Sequence, residues 1–179
     1  GISVVHRSGD IKFDTVGHPI PGTEIKITED GEIITKGSSV FQGYYKNPEA
    51  TAEVSTFDWH HTGDIGYIDE DGYVYIVDRK KDMIITGGFK VYSVEVGAAV
   101  LAIPEVKECA VIGVPDDKWG EAVKAIIVLK DGESLDERAV IGHCKEKLGS
   151  VKAPKSIEFR TEIAKTPTGK TDKKRFAIP

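Results

Sequence analysis

The stretch MIITGGFKVYSVEVGAAVLAIPEVKECAVIGV, residues 83–114, decides the fold. Two short apolar runs, Met83–Thr86 and Phe89–Tyr92, flank Gly87-Gly88, a dipeptide whose freedom at positive φ suits a tight hairpin. The next segment has helical character from Ser93 and must stop near Ile103, because Pro104 disfavours helix continuation. Val106–Val114 then reads as a core strand. Downstream, Ala122–Leu129 is a second core strand. Ser134-Leu135-Asp136-Glu137 is a capping box opening a helix with Val140, Cys144 and Leu148 on one face and Gly149 as its stop. Ile157–Phe159 is a short last strand before a basic tail. The resulting β-α-β-β-α-β rhythm, several short strands covered by two helices, is an α+β architecture.

Upstream of this stretch the chain reads as β. Glu24–Thr28 and Glu32–Lys36 alternate in polarity around the turn Glu29-Asp30-Gly31, which predicts a hairpin. One helix interrupts, with Asn47 as N-cap, Pro48 at its first position and Ala50–Val54 following. Ile65–Ile68 and Tyr73–Val77 resume the strands around the acidic turn Asp69-Glu70-Asp71-Gly72. The character changes at Asp78-Arg79-Lys80-Lys81-Asp82, a run with no apolar residue to bury. Residues 1–78 hold five Lys and Arg against fourteen Asp and Glu, whereas residues 79–179 hold nineteen against fifteen. This asymmetry predicts two units, a small antiparallel β subdomain over 1–78 and a mixed α+β domain over 79–179.

Composition narrows the function classes. With 40% hydrophobic and 30% charged residues the chain belongs with globular proteins, not with collagenous or disordered ones. Apolar runs such as Ala125–Leu129 are far shorter than the roughly 18 residues of a membrane span, and no basic-then-apolar leader opens the sequence. The mild basicity of the second half is too weak to imply nucleic acid. Cys109 and Cys144 lie far apart without metal-site spacing, which predicts two small core hydrophobes, no metal site and a reducing, cytoplasmic setting.

Several segments have chemical potential. Asp64, after Gly63 and at the lip of a strand, could accept hydrogen bonds from two vicinal hydroxyls, or simply close an Asx turn. Asp78-Arg79 reads as a hinge or as a solvated linker. Thr86-Gly87-Gly88-Phe89-Lys90 could let a ligand approach bare backbone, or be no more than a turn. Trp119-Gly120-Glu121 could be a recognition loop, or Trp119 a cap on the core edge. Residues 164–171 fit a relaxed phosphate-loop pattern with Ala164 for the first glycine, but only eight residues follow Thr171, too few for the sheet such a loop needs. What remains is a basic tail that is either solvated or presents one lysine, Lys170.

Five segments appear in order: Gly-Tyr-Tyr-Lys-Asn-Pro-Glu-Ala-Thr (43–51), His-Thr-Gly-Asp (61–64), Gly-Tyr-Val-Tyr-Ile-Val-Asp-Arg-Lys-Lys-Asp-Met-Ile (72–84), Gly-Gly-Phe-Lys-Val-Tyr (87–92) and Pro-Thr-Gly-Lys (167–170). Together, from about Gly17 to Arg175, they resemble the adenylate-forming superfamily, and within it the AMP-forming fatty-acyl- or aryl-CoA ligases. The resemblance implies the C-terminal portion of such an enzyme, with 1–78 the last β subdomain of its large domain and 79–179 its lid. It implies that Asp64 binds the ribose of ATP, with Arg79 a neighbouring nucleotide contact and Asp78 the hinge. Gly87, Gly88, Phe89 and Lys90 would line the CoA tunnel, and Lys170 would be the catalytic lysine of adenylation. The substrates implied are a small carboxylic acid, ATP and CoA, with a Mg²⁺ ligand upstream of this chain, and a homo-oligomer is compatible with it. An adenylation domain serving a carrier protein, or a non-catalytic module binding CoA or a carrier protein, are the alternatives. Two residues depart from the family pattern. Gly97 stands where a second glutamate is usual and should weaken the helix, and Ala164 replaces a proline before the lysine loop.

Overall fold

The computed structural model describes residues 3–40 and 43–176. The chain divides into two compact units between Lys81 and Asp82, three residues beyond the boundary read from the charge pattern. Each has its own sheet and its own packed interior.

In the first unit β1 (Val4–Val5) pairs with β2 (His18–Pro19), and five strands form an antiparallel sheet. Those are β3 (Thr23–Ile27), β4 (Glu32–Gly37), β5 (Ser55–Thr56), β6 (Trp59–Ile68) and β7 (Val74–Arg79), with β6 bonded to β4, β5 and β7. The β3–β4 hairpin forms as its alternation predicts, Ile27 opposite Ile33. Helix α1 (Pro48–Glu53) starts where Asn47 accepts the Ala50 N–H at 3.0 Å. Ile33, Ile65 and Val74 are buried in this unit. The β6–β7 register slips between Ile65 and Gly66, and a Cβ on Gly66 would lie 2.1 Å from the Tyr75 carbonyl oxygen.

The second unit is built on β10 (Val106–Asp116) and β11 (Gly120–Leu129), paired antiparallel from Val106 opposite Leu129 to Asp116 opposite Gly120. β12 (Ser156–Phe159) joins β11 in parallel, and the hairpin β8 (Ile84–Thr86)–β9 (Phe89–Val91) joins at the other end of β11 through Thr86 opposite Gly120. Helices α2 (Ser93–Leu101) and α3 (Glu137–Lys152) cover one face. Val96, Val100, Val140 and Cys144 pack there with Val111, Val123, Ala125 and Ile127. The alternate residues Ala110, Ile112, Ile126 and Val128 face the opposite side, where Ile163 and Phe176 cover them.

The structure corrects three local readings. The N-cap of α3 is Asp136, whose carboxylate accepts the Arg138 N–H at 3.0 Å, instead of Ser134. Glu137 instead receives the Ile157 N–H, tying α3 to β12. Gly149 does break the helix, at φ 80°, but one more turn follows it before Ala153. The helix α2 forms around Gly97, with Val96 and Val100 fully buried, and a Cβ at 97 would make ordinary contact with Cys109 Sγ at 3.8 Å and Val111 Cγ2 at 4.0 Å. The tail is not simply solvated, since Ile163 and Phe176 are both buried.

Candidate functional site

The candidate residues fall into two groups, one in each unit. In the first unit, Asp64 lies inside β6, not at its lip as the sequence suggested, because the strand begins at Trp59. It stands directly opposite Arg79, the last residue of β7, and Arg79 Nε lies 3.4 Å from Asp64 Oδ1. The pair is partly exposed, with the Asp64 side chain 27% and the Arg79 side chain 58% accessible. Thr62 Oγ1 donates to the Ile33 carbonyl at 2.7 Å and accepts the Asp64 N–H at 3.1 Å, which fixes the backbone leading into the acid. Beside the pair is a hollow of about 370 Å³ lined by Thr62, Gly63, Arg79, Lys80 and Lys81. A carboxylate acceptor bordering a cationic hollow can bind the hydroxyls of a ligand that also carries negative charge.

Asp78 belongs to the same strand end. It is buried, pairs with Ile65 across the sheet, and its carboxylate accepts the N–H of Arg79 at 2.8 Å. The run 78–82 holds no apolar residue, yet its first member is a buried acid. Lys80–Asp82 forms a single 3₁₀ turn that leads out of the unit.

Glu32, which sequence reading passed over, lies under this site with its side chain only 4% accessible. Its Oε2 is 2.8 Å from Lys80 Nζ and 3.0 Å from His61 Nδ1, and its Oε1 accepts the Gly63 N–H at 3.1 Å. Burial pushes the Glu32 carboxyl up, but Lys80, His61 and the Gly63 N–H together outweigh it and hold the group below the usual carboxylate range. Lys80 also reaches Asp30 Oδ2 at 2.8 Å, and the Asp30 and Glu32 carboxylates keep its ammonium charged.

In the second unit, Gly87 and Gly88 form the β8–β9 turn, at φ 56° and 83°. Gly87 N–H donates to the Trp119 carbonyl at 2.8 Å, and a Cβ on Gly87 would meet the indole Cε3 at 2.6 Å. Trp119 thus backs the turn, 44% exposed, while Gly88 faces open space. Phe89 and Lys90 follow on β9 with their side chains outward, Phe89 61% exposed. A bare turn beside two exposed aromatic rings can let a ligand lie against the backbone.

Lys170 lies in a small loop closed by backbone bonds. Thr166 N–H donates to the Lys170 carbonyl at 2.7 Å, Gly169 N–H to Thr166 at 2.8 Å, and Asp172 N–H to Ala164 at 2.8 Å. Both legs are anchored. Lys165 reaches Glu108 at 2.8 Å, and Lys173 donates to Ser93 Oγ at 2.7 Å while lying 3.3 Å from Asp82. Lys170 itself is exposed. The signals for Glu32 and Lys173 were absent locally, since the first merely opens an apolar strand and the second is one of three adjacent basic residues.

Among the described residues no three His, Cys, Asp or Glu side chains converge as a metal site. No helix among them is long and apolar enough to cross a membrane. Cys109 is half-buried, its thiol pushed up to about 11 mainly by burial, and Cys144 is fully buried.

Comparison with known proteins bears on the chain as a whole. Residues 95–170 match the AMP-binding enzyme C-terminal domain. The chain is 47% identical over 173 residues to 4-hydroxybutyrate–CoA ligase 2 of Metallosphaera sedula, covering 97% of this chain and 31% of that protein. It is 43% identical over 179 residues to a long-chain-fatty-acid–CoA ligase of Escherichia coli O6:H1, covering 94% of this chain and 32% of that one. Among solved structures, ATP-bound MatB from Rhodopseudomonas palustris superposes with a TM-score of 0.83 at 37% identity, over 91% of this chain and 35% of that chain. The chain thus spans about a third of the length of the curated relatives it matches. With its α+β architecture and ordered motifs, it belongs among the adenylate-forming acyl-CoA ligases, to which it corresponds in their C-terminal portion.

Proposed function

We propose that this chain works as the C-terminal portion of an ATP-dependent, AMP-forming acyl-CoA synthetase and makes no acyl-adenylate on its own. The observation that carries this reading is the Lys170 loop, an exposed ammonium on a turn whose two legs are pinned to a packed domain. In the first half-reaction a carboxylate oxygen attacks the α-phosphorus of ATP and pyrophosphate leaves. Negative charge builds on the phosphoryl oxygens, and the Lys170 ammonium stabilises it more in the transition state than in the ground state. Asp64 accepts hydrogen bonds from the ribose hydroxyls, and Arg79 supplies the adjacent cation. In the second half-reaction the CoA thiol, losing its proton, attacks the acyl carbon and AMP leaves. Gly87 and Gly88 let the pantetheine arm lie against bare backbone, with Phe89 and Lys90 beside it.

The joint near Asp78 serves as the pivot that exchanges one half-reaction for the other. The chain covers about a third of each relative, and this supports its dependence on further sequence. The relatives act on acids as different as 4-hydroxybutyrate and long-chain fatty acids by name, so the acyl group is left open. The test is pyrophosphate release. The chain joined to the remaining two thirds of a synthetase should release pyrophosphate with a carboxylic acid and ATP, whereas the 179-residue chain alone should not. Acyl-AMP synthesis by the chain alone would overturn the reading. Replacing CoA by a carrier protein in the same assay identifies the acceptor.

A further inference from the structure

The buried Glu32 is placed in a way that the ribose-binding reading of Asp64 does not require. Asp64 and Arg79 face each other across β6 and β7. Gly63 precedes Asp64 and Lys80 follows Arg79, and one carboxylate on a third strand element holds both: Glu32 Oε1 takes the Gly63 N–H and Oε2 the Lys80 ammonium. We propose that Glu32 is the positioning residue of the nucleotide site, clamping the chain on both sides of the Asp64–Arg79 pair so that the acid and the guanidinium are presented in one fixed geometry. The inference rests on the reading of Asp64 as a nucleotide contact and deepens it.

Several features favour a clamp over a simple packing role. A side chain 4% accessible is costly to bury as an anion unless every oxygen is satisfied, and here three donors converge on two oxygens. An apolar residue could fill the same space for folding alone. Gly63, at φ 72° with nothing within 4 Å of a notional Cβ, is held in the left-handed region by its hydrogen bond and chain path, not by crowding. Without the carboxylate the Gly63 N–H loses its acceptor, and Thr62 Oγ1 is left to fix the backbone into Asp64 from one side only. The groups facing Glu32 are His61 from β6, Lys80 from beyond β7, and Asp30 from the β3–β4 turn, which shares the Lys80 ammonium.

The experiment compares variants of the full-length synthetase containing this chain. Glu32→Gln keeps the shape and removes the charge. It is expected to raise both the KM and the calorimetric Kd for ATP about tenfold, because charge-assisted hydrogen bonds of this kind are lost. Turnover at saturating ATP, and the KM for the carboxylic acid and CoA, should stay within about twofold, since ribose anchoring is shared by ground state and transition state. A folded Glu32→Gln enzyme with unchanged ATP affinity, or one in which every KM rises together, overturns the clamp. A Lys80→Gln, His61→Gln double variant tests the same link if Glu32→Gln does not fold. With both side-chain donors gone, burial favours the protonated carboxyl, so the KM for ATP should climb as pH falls from about 8 to 5.5 beyond any change in the wild-type enzyme. A profile parallel to wild type overturns the proposal. Asp64→Asn separates the two levels: wild-type ATP affinity in that variant removes the underlying reading and the clamp with it, whereas weakened binding there with none in Glu32→Gln removes the clamp alone.

Discussion

Replacing Lys170 by alanine should separate folding from chemistry cleanly. The loop around it is held by main-chain bonds: Thr166 to the Lys170 carbonyl at 2.7 Å, Gly169 to Thr166 at 2.8 Å and Asp172 to Ala164 at 2.8 Å. The Lys170 N–H also donates to Thr166 Oγ1 at 3.2 Å, again through its backbone. Alanine keeps all of these, and the side chain it removes is exposed. The cost in stability is therefore within about 0.5 kcal/mol, and the melting temperature should move by no more than about 4 °C. The effect on adenylation has a different origin. One positioned charge facing a developing oxyanion contributes about 3–4 kcal/mol, so pyrophosphate release in the full-length synthetase should fall by about 10²–10³. Thioester formation from supplied acyl-AMP does not pass through that charged phosphorus and should stay within about threefold. Rapid-quench assays of the two half-reactions, beside a thermal melt, decide the matter. Equal loss in both half-reactions, or a large fall in melting temperature, refutes the assignment.

Three further outcomes follow from other contacts. Gly87→Ala places a methyl 2.6 Å from the Trp119 ring at φ 56°, whereas Gly88→Ala meets open space at φ 83°; the first should lower the melting temperature clearly more than the second, and equal shifts would remove the role given to Trp119. Lys173→Met removes the donor to buried Ser93 and the ion pair with Asp82, and should cost about 1 kcal/mol, or roughly 4–8 °C for a domain of this size; an unchanged melt would mean the leg is held by Phe176 alone. In acid, Asp69 is held down to about 2, chiefly by Lys12, and Asp30 and Glu32 also lie below their ordinary values. Depressed carboxyls stabilise the fold above their unfolded pKa and lose that contribution as pH falls towards the folded one. The first unit should therefore hold its stability from about pH 8 to 5 and lose it below about pH 4.5, as followed by fluorescence of Trp59; a loss already between pH 8 and 6 contradicts this.

What could be read from the sequence was what is decided over a few neighbouring residues. Asn47-Pro48-Glu49 caps its own helix, and Gly87-Gly88 makes its own turn, whatever else the chain does. The burial of Asp78 and the role of Glu32 were not legible because burial of a charge is settled by partners distant in sequence; Glu32 meets residues 61, 63 and 80, and nothing beside it records that meeting. The tail is a different case, since its signal was present and went unused. Ala125, Ile126, Ile127 and Val128 are apolar without a break, and Ala110, Val111 and Ile112 likewise. A strand with one wet face would alternate, so these runs require cover on both faces. Two helices can supply only one side, where Val111, Ala125 and Ile127 lie. The other face, with Ala110, Ile112, Ile126 and Val128, demands apolar cover from elsewhere, and Ile163 and Phe176 provide it on either side of the Lys170 loop. The unbroken apolar runs of β10 and β11 thus explain why a basic, polar tail is folded back onto the domain. They also explain how an exposed lysine near the end of the described chain acquires a fixed base from which to act.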